Sequence, residues 1–223
     1  MNVYSQQLLE TMRTRFACKE FMPGQGVSDE DFTLILEAGR LAPSSFGFEP
    51  WQFLSIENNI LRDKIATVTW GVQRQMPGLN RFVIILARKP EGMLSDNGYL
   101  KHLMEQTQHM SAELASERFE KFKRYMAEDM ALTGNERAGF EWASRQCYLA
   151  LENMLLMAAC LGVDSCPIEG FHKENLETLL EKEGLLDCKN FGVACLAVFG
   201  LRTEDPKRSK TRRPMSEVLR VVE

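Results

Sequence analysis

Between Cys147 and Leu161 the chain is apolar at every position except Glu152 and Asn153. A helix over this stretch would be greasy on all sides, yet its fifteen residues fall short of the roughly 20 a bilayer crossing requires. The pattern therefore predicts a buried central helix rather than a membrane anchor, with Gly162 as its stop. A chain carrying such a helix must wrap it with other elements, and the rest of the sequence supplies them.

Leu8, Leu9 and Met12 fit a short amphipathic helix over 4–13. A loop carrying Lys19 and Phe21 follows, and then a turn at Pro23-Gly24-Gln25-Gly26. That turn lacks both the third glycine and the preceding strand of a dinucleotide fingerprint. Ser28 caps a helix with Phe32, Ile35, Leu36 and Gly39 on one face, ending before Pro43. Residues 51–56 and 82–87 read as strands, the second apolar on both faces and hence central, with a third at 196–199. Residues 99–132 are rich in charge and predict exposed helices. A short strand over 163–166 is expected to break at Pro167, followed by a helix over 172–183. No linker divides the chain, so one α+β domain spanning 1–223 is expected, with helices around an antiparallel or mixed sheet.

The formal charge of −4 and a pI near 5.6 argue against a nucleic-acid or anionic-membrane partner. No two His or Cys residues have metal-site spacing, so no metal is expected. Six cysteines without a C-x-x-C pair, and an opening without a signal-peptide pattern, predict a reduced, cytoplasmic protein.

Against this acidic background, positive charge gathers at both ends. Arg15 and Lys19 follow the first helix, and residues 207–213 hold five basic residues in seven. Charge alone leaves two readings of the second run, a solvated tail or a phosphate clamp built from guanidinium forks. Pro43-Ser44-Ser45-Phe46-Gly47 adds hydroxyls after a helix, and Pro167-Ile168-Glu169-Gly170 is a turn whose glycine allows a close backbone approach.

Together these pieces resemble the FMN-dependent nitroreductase family. Residues Arg15 to Phe21 are similar to its R-x-S-x-K/R-x-F opening, and Pro43 to Trp51 to its P-S-S-x-N-x-Q-P-W loop. Pro167 to Phe171 resembles its P-I-E-G-F turn, and Lys210 to Pro214 its K-x-R-x-P close. The resemblance implies an intertwined α+β homodimer with FMN at the subunit interface. Arg15, Lys210 and Arg212 would then hold the FMN phosphate, with Phe16 and Ala17 beside them. Lys19 would lie at the pyrimidine edge of the ring, opposing the negative charge that gathers there on reduction. Ser44, Ser45 and Gly47 would reach in from the partner chain, and Gln146 from the long helix. Pro167, Ile168, Glu169 and Gly170 would pass over the ring.

The resemblance further implies that the flavin itself carries the chemistry, so no side chain is assigned as an acid or base. Lys19 and Glu169 would stand nearest the reacting ring. NAD(P)H would be the co-substrate, and two electrons would pass by a ping-pong route to a nitroaromatic, quinone or similar flat acceptor. Free-flavin or pteridine reduction, flavin fragmentation, and flavin storage or sensing without turnover are the alternatives. The chain departs from the family pattern at Ala17 (serine), Gly47 (asparagine) and Gln75 (lysine), with Arg74 next to the last as a substitute charge. Phe119, Phe122 and Tyr125 fit either an acceptor pocket or the core.

Overall fold

The computed structural model describes residues 2–95 and 98–223. Four strands, β1 (Trp51–Ser55), β2 (Arg81–Arg88), β3 (Asp164–Ile168) and β4 (Phe191–Gly200), form a wholly antiparallel sheet in the order β1-β2-β4-β3. The ladder sets Trp51 opposite Ala87, and Ile84 opposite Leu196.

Helices cover both faces of the sheet. On one side Val83, Ile85 and Ala87 of β2 and Cys195, Ala197 and Phe199 of β4 pack into the larger core, which also takes in α2 (Asp29–Arg40) and α7 (Glu136–Cys160). On the other, Phe82, Ile84 and Leu86 meet Leu196 and Val198 under α3 (Asn59–Thr67) and α8 (Lys173–Lys182). This explains why β2 is apolar at successive positions: each of its faces is a core face. The chain also forms α1 (Val3–Thr14), α4 (Pro90–Leu94), α5 (Tyr99–His102), α6 (Ala112–Arg124) and α9 (Met215–Val218). Ser28 caps α2 as expected, its hydroxyl accepting the Asp31 N–H at 3.0 Å.

Three expectations are corrected. The central helix begins at Glu136, not near Cys147, and is not buried on every side. Its buried face runs from Gly139 and Phe140 to Leu155 and Ala158, but Tyr148 and Leu149 are exposed. Second, β3 does not break at Pro167, which pairs in register with Ala197. β3 lies at the sheet edge, where a residue without an N–H costs the ladder nothing on its outer side. Third, the charged 99–132 segment is not simply exposed. Leu100, Leu103, Met104, Ala115, Phe122 and Met126 are buried in the larger core, and the charges occupy the outer faces. Burial of each of the larger ones, the Leu, Met and Phe side chains, contributes about 1.5–3 kcal/mol.

α1 contrasts with these helices, because none of its residues is buried and Leu8, Leu9 and Met12 all stay substantially exposed. No helix among the described residues is long and apolar enough to cross a membrane.

Candidate functional site

The two ends of the chain meet at the free edge of β3. After α1 the backbone runs alongside that strand, with Ala17 bridging Ser165 in parallel and the Cys18 N–H donating to the Ser165 carbonyl at 3.0 Å. Four residues on, Phe21 bridges Arg202 antiparallel, and the Met22 N–H donates to Leu201 O at 2.7 Å. The strap of residues 15–22 is therefore stitched to β3 on one side and to the exit of β4 on the other. From that exit the basic arm turns back toward α1, where Lys210 Nζ donates to Met12 O at 2.5 Å.

These segments enclose a cleft of about 1340 Å³. Arg15, Phe16, Ala17, Lys19, Pro167, Lys210 and Arg212 all line it. Among its lining residues are nine basic and four acidic side chains. Each of the four acids is already taken: Glu10 by Arg13, Glu20 by Arg74, Glu204 by Lys207 and Asp205 by Arg202. Arg15, Lys19, Arg208, Lys210 and Arg212 are left with no carboxylate at ion-pair distance among the described residues. Burial, and then the positive charges of Arg15 and Arg212, hold the Lys210 ammonium below the usual lysine pKa. Glu152 offsets this only in part, and a multivalent oxyanion would relieve the repulsion among these cations and accept their N–H donors.

Pro167 leads from the cleft into a turn with a rigid frame. The Gly71 N–H donates to Gly170 O at 2.7 Å, and the His172 N–H to Val68 O at 2.8 Å, zipping 68–71 to 170–172. The indole of Trp70, 76% exposed, lies directly against Gly170. A β-carbon at Gly170 would come within 2.9 Å of that ring, so a larger residue there would push the indole aside. Sequence reading missed Trp70, because a lone tryptophan in a loop carries no periodicity.

Ser44, Ser45, Gly47 and Gln146 sit apart, outside the cleft lining. Gln146 Oε1 accepts the Ser45 N–H at 2.9 Å, while its Nε2 donates to Trp142 O. Ser44 Oγ accepts the Glu49 N–H at 2.9 Å. Gln108 donates to Gly47 O, Arg118 to Phe46 O and Tyr99 to Glu49 O, so the loop is pinned from several sides. Gly47 has a φ of 64°, a region that asparagine also tolerates; the departure from the family pattern keeps the backbone and loses only the amide. Phe122 is part of the core, packed among Phe46 and Trp142, and Tyr125 and Phe119 are partly buried against it. Gln75 is buried, with Nε2 donating to Cys18 O at 3.3 Å. Arg74 does line the cleft, but Glu20 at 2.5 Å already matches its charge.

A model of the nitroreductase family matches residues 12–200. The chain belongs to that family. Its relatives include a Bacillus subtilis protein assigned the name NAD(P)H nitroreductase YfkO, 41% identical over 97% of both chains. The nitroreductase fold is equally plain in solved structures. A nitroreductase-like protein of Streptococcus mutans superposes with a TM-score of 0.80 at 15% identity, covering 98% of this chain and 100% of that one. A protein of Exiguobacterium sibiricum assigned as a nitroreductase, solved in complex with FMN, gives 0.74 at 19% identity, covering 96% and 97%.

Proposed function

We propose that the chain is an FMN-dependent oxidoreductase that moves two electrons from NAD(P)H to flat acceptors such as nitroaromatics and quinones. The observation that carries this reading is the set of unpaired cations from both chain ends in one cleft beside Pro167. The NAD(P)H nitroreductase name of a relative at 41% identity supports it, as does FMN in a neighbour of the same fold.

The residues present fit the cofactor. Arg15, Lys210 and Arg212 would hold its phosphate, each as a charged multidentate donor. Lys19, with no carboxylate partner, would bring positive charge to the pyrimidine edge. Pro167, Ile168, Glu169 and Gly170 would border the ring on a backbone held rigid by 68–71. Bound there, FMN would supply two-electron hydride chemistry, with donor and acceptor taking turns in one pocket. Trp70, exposed beside Gly170, would offer an aromatic acceptor stacking area next to that pocket.

The site is completed by a second copy of the chain. Leu8, Leu9 and Met12 of α1, Tyr148 and Leu149 of α7, and Met215, Val218 and Leu219 of the tail all leave apolar surface uncovered within one chain. The loop of Ser44, Ser45 and Gly47 would then serve the partner's cleft. Sedimentation should give a dimer, and Leu149→Glu together with Leu8→Glu should give a monomer that loses FMN.

The deciding experiment is a visible spectrum of the purified protein. Flavin bands that bleach anaerobically with NADH or NADPH and return on adding a nitroaromatic or quinone are expected. A colourless protein that takes up no FMN overturns the reading. Flavin that never bleaches indicates storage or sensing, and faster turnover with free FMN than with nitroaromatics indicates a flavin reductase.

A further inference from the structure

Tyr148 and Glu169 lie 21 residues apart, one on the exposed stripe of α7 and the other just past the end of β3. The phenol of Tyr148 donates a hydrogen bond to Glu169 Oε1. No basic side chain lies at ion-pair distance from that carboxylate among the described residues. The backbone around Glu169 is independently fixed: the Phe171 N–H donates to Glu169 O at 2.9 Å, and Gly170 and His172 are bonded to 68–71. Tyr148 therefore settles where the carboxylate points, not where the turn runs. Burial and the bond to Glu169 both keep the phenol protonated, so it stays a donor.

We propose that Tyr148 is a positioning residue that holds the Glu169 carboxylate and damps its negative charge, so that a flavin beside the 167–170 turn is more readily reduced. The inference rests on the FMN reading above. A carboxylate near a ring that gains electrons opposes reduction, whereas a hydrogen-bond donor draws charge from its oxygens and weakens that opposition. Lys19 acts in the same direction by supplying positive charge, and Tyr148 acts by muting negative charge.

The test is the two-electron midpoint potential of the FMN holoprotein, measured by anaerobic reductive titration in wild type, Tyr148→Phe, Glu169→Gln and the double variant. Tyr148→Phe should make reduction about tenfold less favourable, equivalent to about 30 mV. Glu169→Gln should shift it the other way, and adding Tyr148→Phe to Glu169→Gln should change nothing further, since the coupled group is already gone. Equal potentials in wild type and Tyr148→Phe at full FMN content overturn the proposal, as does a Tyr148→Phe shift that persists in the Glu169→Gln background. Should Tyr148→Phe not fold, Glu169→Gln alone decides, because an unchanged potential there leaves no charge for Tyr148 to mute. FMN content separates the two readings: a wild type that binds no flavin removes both, whereas a loaded protein with unmoved potentials removes only this one.

Discussion

The ammonium of Lys19 rests 3.3 Å from the buried sulfur of Cys166. A thiol is a weak acceptor, so this contact places the lysine without neutralising it. Lys19 can thus turn toward a developing negative charge without first breaking an ion pair. Lys19→Glu should lower the flavin potential and slow reduction by NAD(P)H, read by stopped-flow absorbance. Unchanged kinetics would remove Lys19 from its assigned role.

Arg15 and Arg212 should carry much of the cofactor affinity. Hydrogen bonds to charged groups contribute about 1.5–3 kcal/mol each. Arg15→Ala or Arg212→Ala should therefore weaken FMN binding by about one to two decades, measured by quenching of FMN fluorescence on titration with apoprotein. An equal loss in Arg13→Ala, whose charge Glu10 already meets at 3.6 Å, would point to a diffuse field instead of a clamp.

Lys210 predicts a pH dependence. Its pKa is pulled below that of a free lysine by burial and by Arg15 and Arg212. If its cationic form holds the phosphate as proposed, affinity should be full at neutral pH and fall as pH rises, earlier than a free lysine would allow. In Lys210→Arg the guanidinium stays charged and the alkaline fall should disappear. Binding isotherms across alkaline pH check this, and identical profiles would exclude Lys210 as the titrating group.

Gly170→Ala forces a β-carbon toward the indole of Trp70. Overpacking in a core costs about 1–3 kcal/mol; the exposed indole can yield, so the cost should lie at or below the low end of that range and appear as a small fall in melting temperature. Trp70→Ala should relieve it, so the double variant should melt above Gly170→Ala. Trp70→Ala alone should raise KM for a nitroaromatic acceptor and, because NAD(P)H would take turns in the same pocket, slow reduction by NAD(P)H as well.

Much of this architecture is legible in the sequence where one physical cause dominates. β2 announces itself because a strand covered on both faces has no polar alternation, and α2 because cap and spacing agree. The first half of α7 is hidden. Arg137, Glu141 and Arg145 recur every four residues on its exposed side and interrupt the apolar run, while Phe140, Trp142 and Ala143 are buried opposite. The same masking conceals the buried side of 99–132, where charge on outer faces outweighs Leu100, Met104 and Phe122 in a composition-based reading. The basic residues of the cleft are visible in their motifs, but their convergence depends on two isolated bridges, Ala17 to Ser165 and Phe21 to Arg202, that no local pattern encodes. Gln146, expected at the cofactor, has its side-chain amide engaged by Ser45 and Trp142.

The strap along the edge of β3 makes ligand loading a mechanical matter for the whole molecule. Arg15 precedes nearly all of the core in sequence and Arg212 follows it, so an anion gripped by both closes the polypeptide into a ring with no covalent link. Loss of that anion should let the carboxy-terminal arm fray first, with amide exchange over 205–212 rising before the sheet is touched. The thermal midpoint should then climb with the logarithm of free FMN, so that heat resistance in a crude preparation reports how much of the protein is loaded.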